Sequence, residues 1–333
     1  MFSFTAKDMN SPITALALSP DRTFVAAGHL SGHIHLYDLS SFNNNSPTTF
    51  PARSVPTYSR AAVASGRREG HLHNARITAL DFVGARRTAI VSTDEYGMAF
   101  YHSLGKVLFV EASDVLRLLG KHPLENVPSS VASPVGEEDG SRSPHSTIKA
   151  SRRGRAQWIR QSPPILAMAS LPLGTNIHPT DAYNVIALLT PVKLVIVALR
   201  PSAKTWLRKR RLDDRYAAIE VNGKERLETK MAGCMAWFPS VSVRDGESGG
   251  KVGPTKTTTP TLVYTWGSKV YLLHVREELP DYLRQQQQEA LTKTVGRKNG
   301  MPHELGRLVF EDGSQWIAGG DVRGVQWLTP YVG

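Results

Sequence analysis

One cysteine, Cys234, stands in a chain of 333 residues. That excludes an internal disulfide framework and any zinc site built from several thiolates, and it fits a reducing compartment. Long apolar runs are missing as well. The most apolar stretch, 185–199, is interrupted by Pro191 and Lys193 and falls short of the about 20 residues that cross a bilayer. Residues 1–8 offer no basic segment followed by an apolar one, so no secretory signal is read there, and the sequon at Asn44 is not expected to be glycosylated. Acids are in deficit, with 29 Asp and Glu against 40 Lys and Arg, a net charge of +11. Such a charge suits nucleic acid, a phosphorylated lipid head group or an acidic protein face without choosing among them. Neither a phosphate-cradling P-loop nor a dinucleotide fingerprint is found. The 41% hydrophobic and 21% charged content excludes wholesale disorder. The length fits about two domains or one large all-β domain.

A weak internal repeat organises what is there. Ile13-Thr-Ala-Leu16 recurs as Ile77-Thr-Ala-Leu80, and each copy opens a similar unit, 13–40 and 77–104. Each unit reads as short strands punctuated by turns. In the first, Ser19-Pro20-Asp21 and Ser31-Gly32 are the turns, and Ile34 and Leu36 alternate with His33 and His35; in the second the turn is 94–97. This is the pattern of a WD-type propeller blade, with Tyr37-Asp38 in place of the Trp-Asp pair. His73, four residues before Ile77, takes the repeat's histidine slot; Met9 fills it in the first copy, and His102 stands where the second copy calls for an aromatic.

The expected fold is therefore all-β: an incomplete WD40-like β-propeller of about four to five blades spanning 1–333, with long disordered insertions. Blades are placed near 13–40, 77–119, 165–207 and 231–276, with a truncated fifth at 306–333 begun by Leu308-Val-Phe310 and Gly324–Leu328. Disordered insertions are placed at 41–75, 123–163 and 244–260. Within the second blade, 114–119 before Gly120 reads as a helical turn, and 280–295 as a polar, glutamine-rich helix. Four and a half blades leave a sheet edge open, so the chain reads as a fragment or truncated gene model.

Chemical constellations are thin. His29, His33 and His35 lie close together, but a third metal ligand with a supporting shell is not identifiable, and they read as solvent-facing strand histidines. Gly246–Gly250 matches G-x-S-x-G without the strand and helix that a nucleophile elbow needs. Glu137–Asp139, Asp213-Asp214 and Glu277-Glu278 read as solvated loops, and Cys234 as a small core residue. No catalytic residue, metal ligand, cofactor or small-molecule substrate is named. The functional candidates are two basic clusters: Arg152, Arg153 and Arg155, and the end of 200–211 with Arg208, Lys209, Arg210 and Arg211. Clusters of about 4–8 basic residues can hold a protein on an anionic membrane, at about 1 kcal/mol per residue near the surface. Nucleic-acid recognition would interleave aromatics with the cations, and only Trp158 and Trp206 lie near, the latter read as blade core.

Three blocks carry a family resemblance: 25–34 with its blade, 76–80 with 92–100, and 164–173 with 185–194 and 200–205. In order and spacing they resemble the N-terminal propeller of the vacuolar protein sorting-associated protein 8 family, subunits of the CORVET tethering complex, in its fungal form. The resemblance implies a non-enzymatic scaffold acting in endosome/Golgi-to-vacuole protein transport. It implies contacts with other tethering-complex subunits and an endosomal Rab-type GTPase, and a cytoplasmic location, peripheral on the endosome or late endosome membrane. The family's helical solenoid and cysteine-rich region are not matched here. The alternative is a basic propeller that binds nucleic acid or anionic phospholipid through its Arg/Lys-rich loops.

Overall fold

A computed structural model describes residues 11–39, 53–84, 89–107, 110–122, 162–211, 232–244, 255–278 and 307–318, with Val322, Gly324 and Val325. Antiparallel strands dominate. The first sheet runs β1 (Ile13–Leu18), β2 (Phe24–His29), β3 (Ile34–Asp38) and β4 (Arg53–Val55), in that spatial order. The β1–β2 turn is set by its own side chains: Ser19 Oγ donates to Asp21 Oδ1 at 2.7 Å and accepts from the Thr23 and Phe24 N–H groups at 3.1 and 2.9 Å. Helix α1 (Arg60–Ala64) follows, its N-cap Ser59 accepting from Ala62 N–H.

Residues 53–75 therefore correct the expectation of one disordered insertion over 41–75. They supply β4, α1 and a small apolar cluster of Val63, Leu72 and Ala75 against Tyr58 and Tyr96. Apolar residues spaced widely through a polar stretch gave no periodic signal, yet each is buried. Residues 40–52 lie outside the described set.

The second sheet is β5 (Ile77–Phe82), β6 (Ala89–Asp94), β7 (Ala99–Val107) and β8 (Val110–Leu119). The helical turn expected at 114–119 is instead strand, with Asp114 opposite Ser103 and Leu116 opposite Tyr101. A long ladder to β7 overrides the local preference of that segment. The third sheet is β9 (Ala167–Ser170), β10 (Val185–Leu189), β11 (Lys193–Ala198) and β12 (Lys204–Arg210). Every residue of β10 is buried, so this hairpin is apolar on both faces.

In the last sheet, β13 (Met235–Phe238) precedes a two-stranded ribbon, β14 (Ser242–Arg244) and β15 (Thr255–Thr257). The sheet is completed by β16 (Thr261–Trp266), β17 (Lys269–Glu278) and β18 (Arg307–Ile317), in the order β13-β16-β17-β18. Three expectations change here. Residues 244 and 255–260, placed in a disordered insertion, include ribbon strands, whereas 245–254 lie outside the described residues. The segment at 306–317 does not open a fifth unit: β18 pairs with β17 from Arg307 to Ile317 and is the outer strand of the fourth sheet. Glu277-Glu278 end β17 rather than lying in a solvated loop. The helix read at 280–295 and the insertion at 123–161 fall outside the described residues.

The first strands of the sheets, β1, β5, β9 and β13, adjoin one another in sequence order, and three clusters fill the spaces between neighbouring sheets. Four stacked four-stranded sheets joined in series, inner strand to inner strand, are a β-propeller architecture of WD40 type. Gly28 marks one tight approach, since a Cβ there would meet Ile77 Cγ2 at 2.5 Å. Asp81, on β5, ties the second sheet to the third by accepting from Ser170 N at 3.0 Å and from Ser170 Oγ. Burial raises the Asp81 pKa, and the bonds from Ser170 and Phe82 oppose that rise.

Candidate functional site

The second sheet holds a buried polar set that sequence reading did not assemble. Asp94 ends β6, and its Oδ1 accepts the Tyr96 and Met98 N–H groups at 3.0 and 3.1 Å, closing the turn to β7. Gly97 completes that turn at φ +74, where a Cβ would also meet Pro163 O at 2.3 Å. Asp94 Oδ2 lies 2.8 Å from His71 Nδ1, His71 Nε2 lies 2.7 Å from Ser92 Oγ, and Ser92 Oγ lies 2.7 Å from His102 Nε2. A carboxylate only accepts, so His71 Nδ1–H donates to Asp94. For neutral rings the chain then has one consistent order: His102 Nε2–H to Ser92, Ser92 O–H to His71 Nε2, His71 Nδ1–H to Asp94. Burial, with His71 second, pushes the His102 pKa down to about 3, so His102 is neutral at physiological pH.

The connectivity Asp94–His71–Ser92 is that of a serine nucleophile with its base and orienting acid. Its placement is not. All three side chains and His102 are buried, Ser92 Oγ is held by a second imidazole, and Phe100 lies edge-on to His71 at 4.7 Å. A nucleophile needs room for a carbonyl about 3 Å away with oxyanion donors beside it. What the set does is fasten the 66–76 loop to β6 and β7. The histidine of the repeat is thus His71, not His73. The Gly70-His71 dipeptide was the available signal, and counting back four residues from Ile77 passed over it.

The corresponding end of the first sheet carries histidines of another kind. His29 and His35 are buried, which corrects their reading as solvent-facing. His29 Nδ1 donates to Ser11 O at 3.0 Å, His35 Nδ1 lies 2.8 Å from Ser54 Oγ, and the two rings meet edge to face at 5.0 Å. Both Nε2 atoms are buried and have no hydrogen-bond partner among the described residues. The His35 pKa falls to about 4, first through burial and then through His29 and His33. His73, the residue read as the repeat histidine, lies 2.6 Å from Thr57 Oγ1, which also approaches His33 Nε2 at 3.3 Å. Among the described residues no group of three His, Cys, Asp or Glu is arranged to hold a metal ion.

The basic candidates divide. Arg152, Arg153 and Arg155 lie outside the described residues, as do Trp158 and the 246–250 motif. Arg208, Lys209 and Arg210 belong to strand β12 rather than to a loop. By the two-residue period, Arg208 and Arg210 project from one face and are exposed. Lys209 points the other way and pairs with Asp312 of the last sheet. Arg211 N–H donates to Val192 O at 2.9 Å, continuing the ladder. Trp206 is half-buried against the apolar cluster between the third and last sheets, edge to face with Tyr183 at 4.9 Å. Cys234 is only partly buried; its Sγ lies 3.2 Å from Thr265 Oγ1. Among the described residues no helix is long and apolar enough to cross a membrane.

Comparison with known proteins adds four findings. The family model described as the Vps8 beta-propeller matches residues 2–332. Vacuolar protein sorting-associated protein 8 of Saccharomyces cerevisiae is 34% identical over 90 residues, a match covering 27% of this chain and 7% of the yeast protein. Among solved structures, the Cps50 (Swd1) β-propeller domain of Myceliophteria thermophila aligns with a TM-score of 0.36 at 8% identity, over 92% of this chain and 58% of that one. The RRP9 WD40 repeats align with a TM-score of 0.38 at 7% identity, over 80% of this chain and 49% of that one.

Proposed function

The chain belongs to the Vps8 beta-propeller family, and from that premise we propose that it is a non-enzymatic scaffold in vacuolar protein sorting. The match over residues 2–332 carries the reading. In its finer form, the chain is part of an endosomal vesicle-tethering complex serving endosome/Golgi-to-vacuole transport. It contacts other tethering subunits and an endosomal Rab-type GTPase from the cytosolic side of the membrane. The geometry is in keeping with this: the buried Asp94–His71–Ser92 set acts on the fold and offers no surface to a substrate. A stack of sheets works by rigid presentation of its outer surfaces and loops.

The test is affinity recovery of the tagged 333-residue chain from fungal cells, with bound proteins identified by mass spectrometry. Recovery of tethering subunits and a GTP-loaded endosomal GTPase is the expected result. Recovery of none of these overturns the finer reading. Exposed Arg208 and Arg210 favour a second contribution, attachment to anionic phospholipid, with Arg152, Arg153 and Arg155 as further cations. Vesicle co-sedimentation that falls with salt and with Arg208→Ser/Arg210→Ser reads this directly.

A further inference from the structure

Residues 53–76 carry five arginines, no lysine and a single acid, Glu69. The fold uses these charges unequally. Arg53 donates to Leu104 O. Glu69 is turned to the second sheet, where its Oε1 lies 3.1 Å from His122 Nε2 and 3.6 Å from Arg117 Nε. Arg60, Arg67, Arg68 and Arg76 are exposed, and among the described residues none of their guanidinium groups has a carboxylate partner. Glu95, the exposed acid beside them, accepts the backbone N–H of Arg76 at 3.0 Å.

The four cations surround one apolar nub. Arg60 opens α1, whose Val63 is buried with Leu72 and Ala75, and Tyr58 and Tyr96 pack on all three. Arg68 lies over the Tyr58 ring, 6.0 Å from its centre, and Arg76 directly follows Ala75. The backbone beneath is pinned on both sides. Tyr58 N–H donates to His71 O at 2.9 Å, His73 N–H to Tyr58 O at 3.0 Å, Asn74 N–H to Ser31 O at 2.8 Å and Glu95 N–H to Arg76 O at 3.0 Å. His71 is fixed in turn by Asp94 and Ser92. Like charges gathered on a backbone held this firmly are preorganised for an anion, because the ordering cost is met on folding.

Resting on the scaffold reading above, we propose that this arginine surface receives an acidic segment of a partner protein, an exposed run of Asp and Glu. Guanidinium forks take carboxylates bidentately, and all four cations are arginine. The surroundings argue against two other polyanions. A loop that enters a bilayer sinks apolar side chains beside its cations, and no large apolar side chain of 53–76 is exposed. Single-stranded nucleic acid stacks its bases on free aromatic faces, and here Tyr58 and Tyr96 are packed into the nub with Arg68 over Tyr58.

Fluorescence anisotropy of a labelled oligoglutamate peptide, titrated with the whole chain, tests this. Saturable binding that weakens with salt is expected. Arg67→Gln/Arg68→Gln should weaken it by about tenfold or more. Arg67→Lys/Arg68→Lys keeps the charge and should still weaken it, because the fork is lost. Arg208→Ser/Arg210→Ser removes the same charge from another surface and should change it by about twofold or less. All these side chains are exposed, so melting temperatures should match the parent. Absence of binding at low salt overturns the proposal, as does a lysine variant that binds like the parent. Equal losses for the two neutralised pairs overturn it too, since they mark a response to net charge alone. An oligonucleotide, or vesicles containing phosphatidylserine, bound more tightly than the peptide and through Arg67 and Arg68 overturns it in favour of that polyanion. Affinity recovery reads the scaffold role separately: tethering subunits recovered equally by the parent and by Arg67→Gln/Arg68→Gln leave that role standing and overturn this surface.

Discussion

The first and second sheets begin with the same four residues, Ile-Thr-Ala-Leu, and their second and third strands pair in the same register. They are fastened differently. Both turns are closed by the same backbone bonds: His29 N–H to His33 O and Gly32 N–H to His29 O in one, Asp94 N–H to Met98 O and Gly97 N–H to Asp94 O in the other. Where the second sheet has Asp94, Ser92 and His102, the register places His29, Ala27 and Tyr37 in the first. Backbone and glycine are enough to make the turn. The Asp–His–Ser–His chain is an addition that locks a loop onto a sheet already formed, and the same loop bonds back to the first sheet through Asn74 N–H to Ser31 O.

That difference can be broken at its centre. Asp94→Ala strands His71 Nδ1–H and two turn N–H groups in the interior and should cost about 3–5 kcal/mol, read from the urea midpoint. His29→Ala, at the same place in the first sheet, removes one bond to Ser11 O and should cost about 1 kcal/mol. Equal losses would refute the distinction. The apolar pair comes next. Leu80→Ala should cost about 2–5 kcal/mol by leaving a cavity between sheets, and Leu16→Ala, at the same repeat position but exposed, less than about 0.5 kcal/mol.

Acid sharpens the comparison from both sides. Unfolded histidine titrates near 6.5, whereas His35 and His102 are held neutral in the fold down to about 4 and about 3. The unfolded chain therefore binds more protons below pH 6.5, so stability should be whole above that value and fall as pH drops through 6 towards 4. His35→Gln should flatten part of the slope of denaturant midpoint against pH; an unchanged slope would show that His35 is not held neutral. The smallest effect belongs to the surface. Lys209→Ala, which removes the partly exposed pair with Asp312, should change stability by about 0.5 kcal/mol or less, detectable as a small shift in melting temperature.

The repeat, the alternation and the turn residues made the inner three strands of the first two sheets legible, because half-buried strands carry a period of two. The outer strands were harder. Arg53–Val55 and Lys204–Arg210 are short or strongly charged, and their pairing is decided by the neighbouring strand rather than by their own pattern. The polar chain was only partly visible: Ser92, Asp94 and His102 sit in quoted stretches, but burial and ring orientation alone turn them into a network. The basic cluster looked like a loop because its cations hid a strand in which every second side chain faces away from its neighbour.

The central claim is that this molecule works by its surfaces and uses its triad-like set to hold itself together. The direct measurement is intact-mass analysis of the native chain after treatment with a fluorophosphonate probe, which labels activated serines. The account predicts no adduct on Ser92, whose hydroxyl is buried and bonded to both His71 and His102. One adduct per chain on Ser92, abolished by His71→Ala, would contradict it and make the set a working nucleophile.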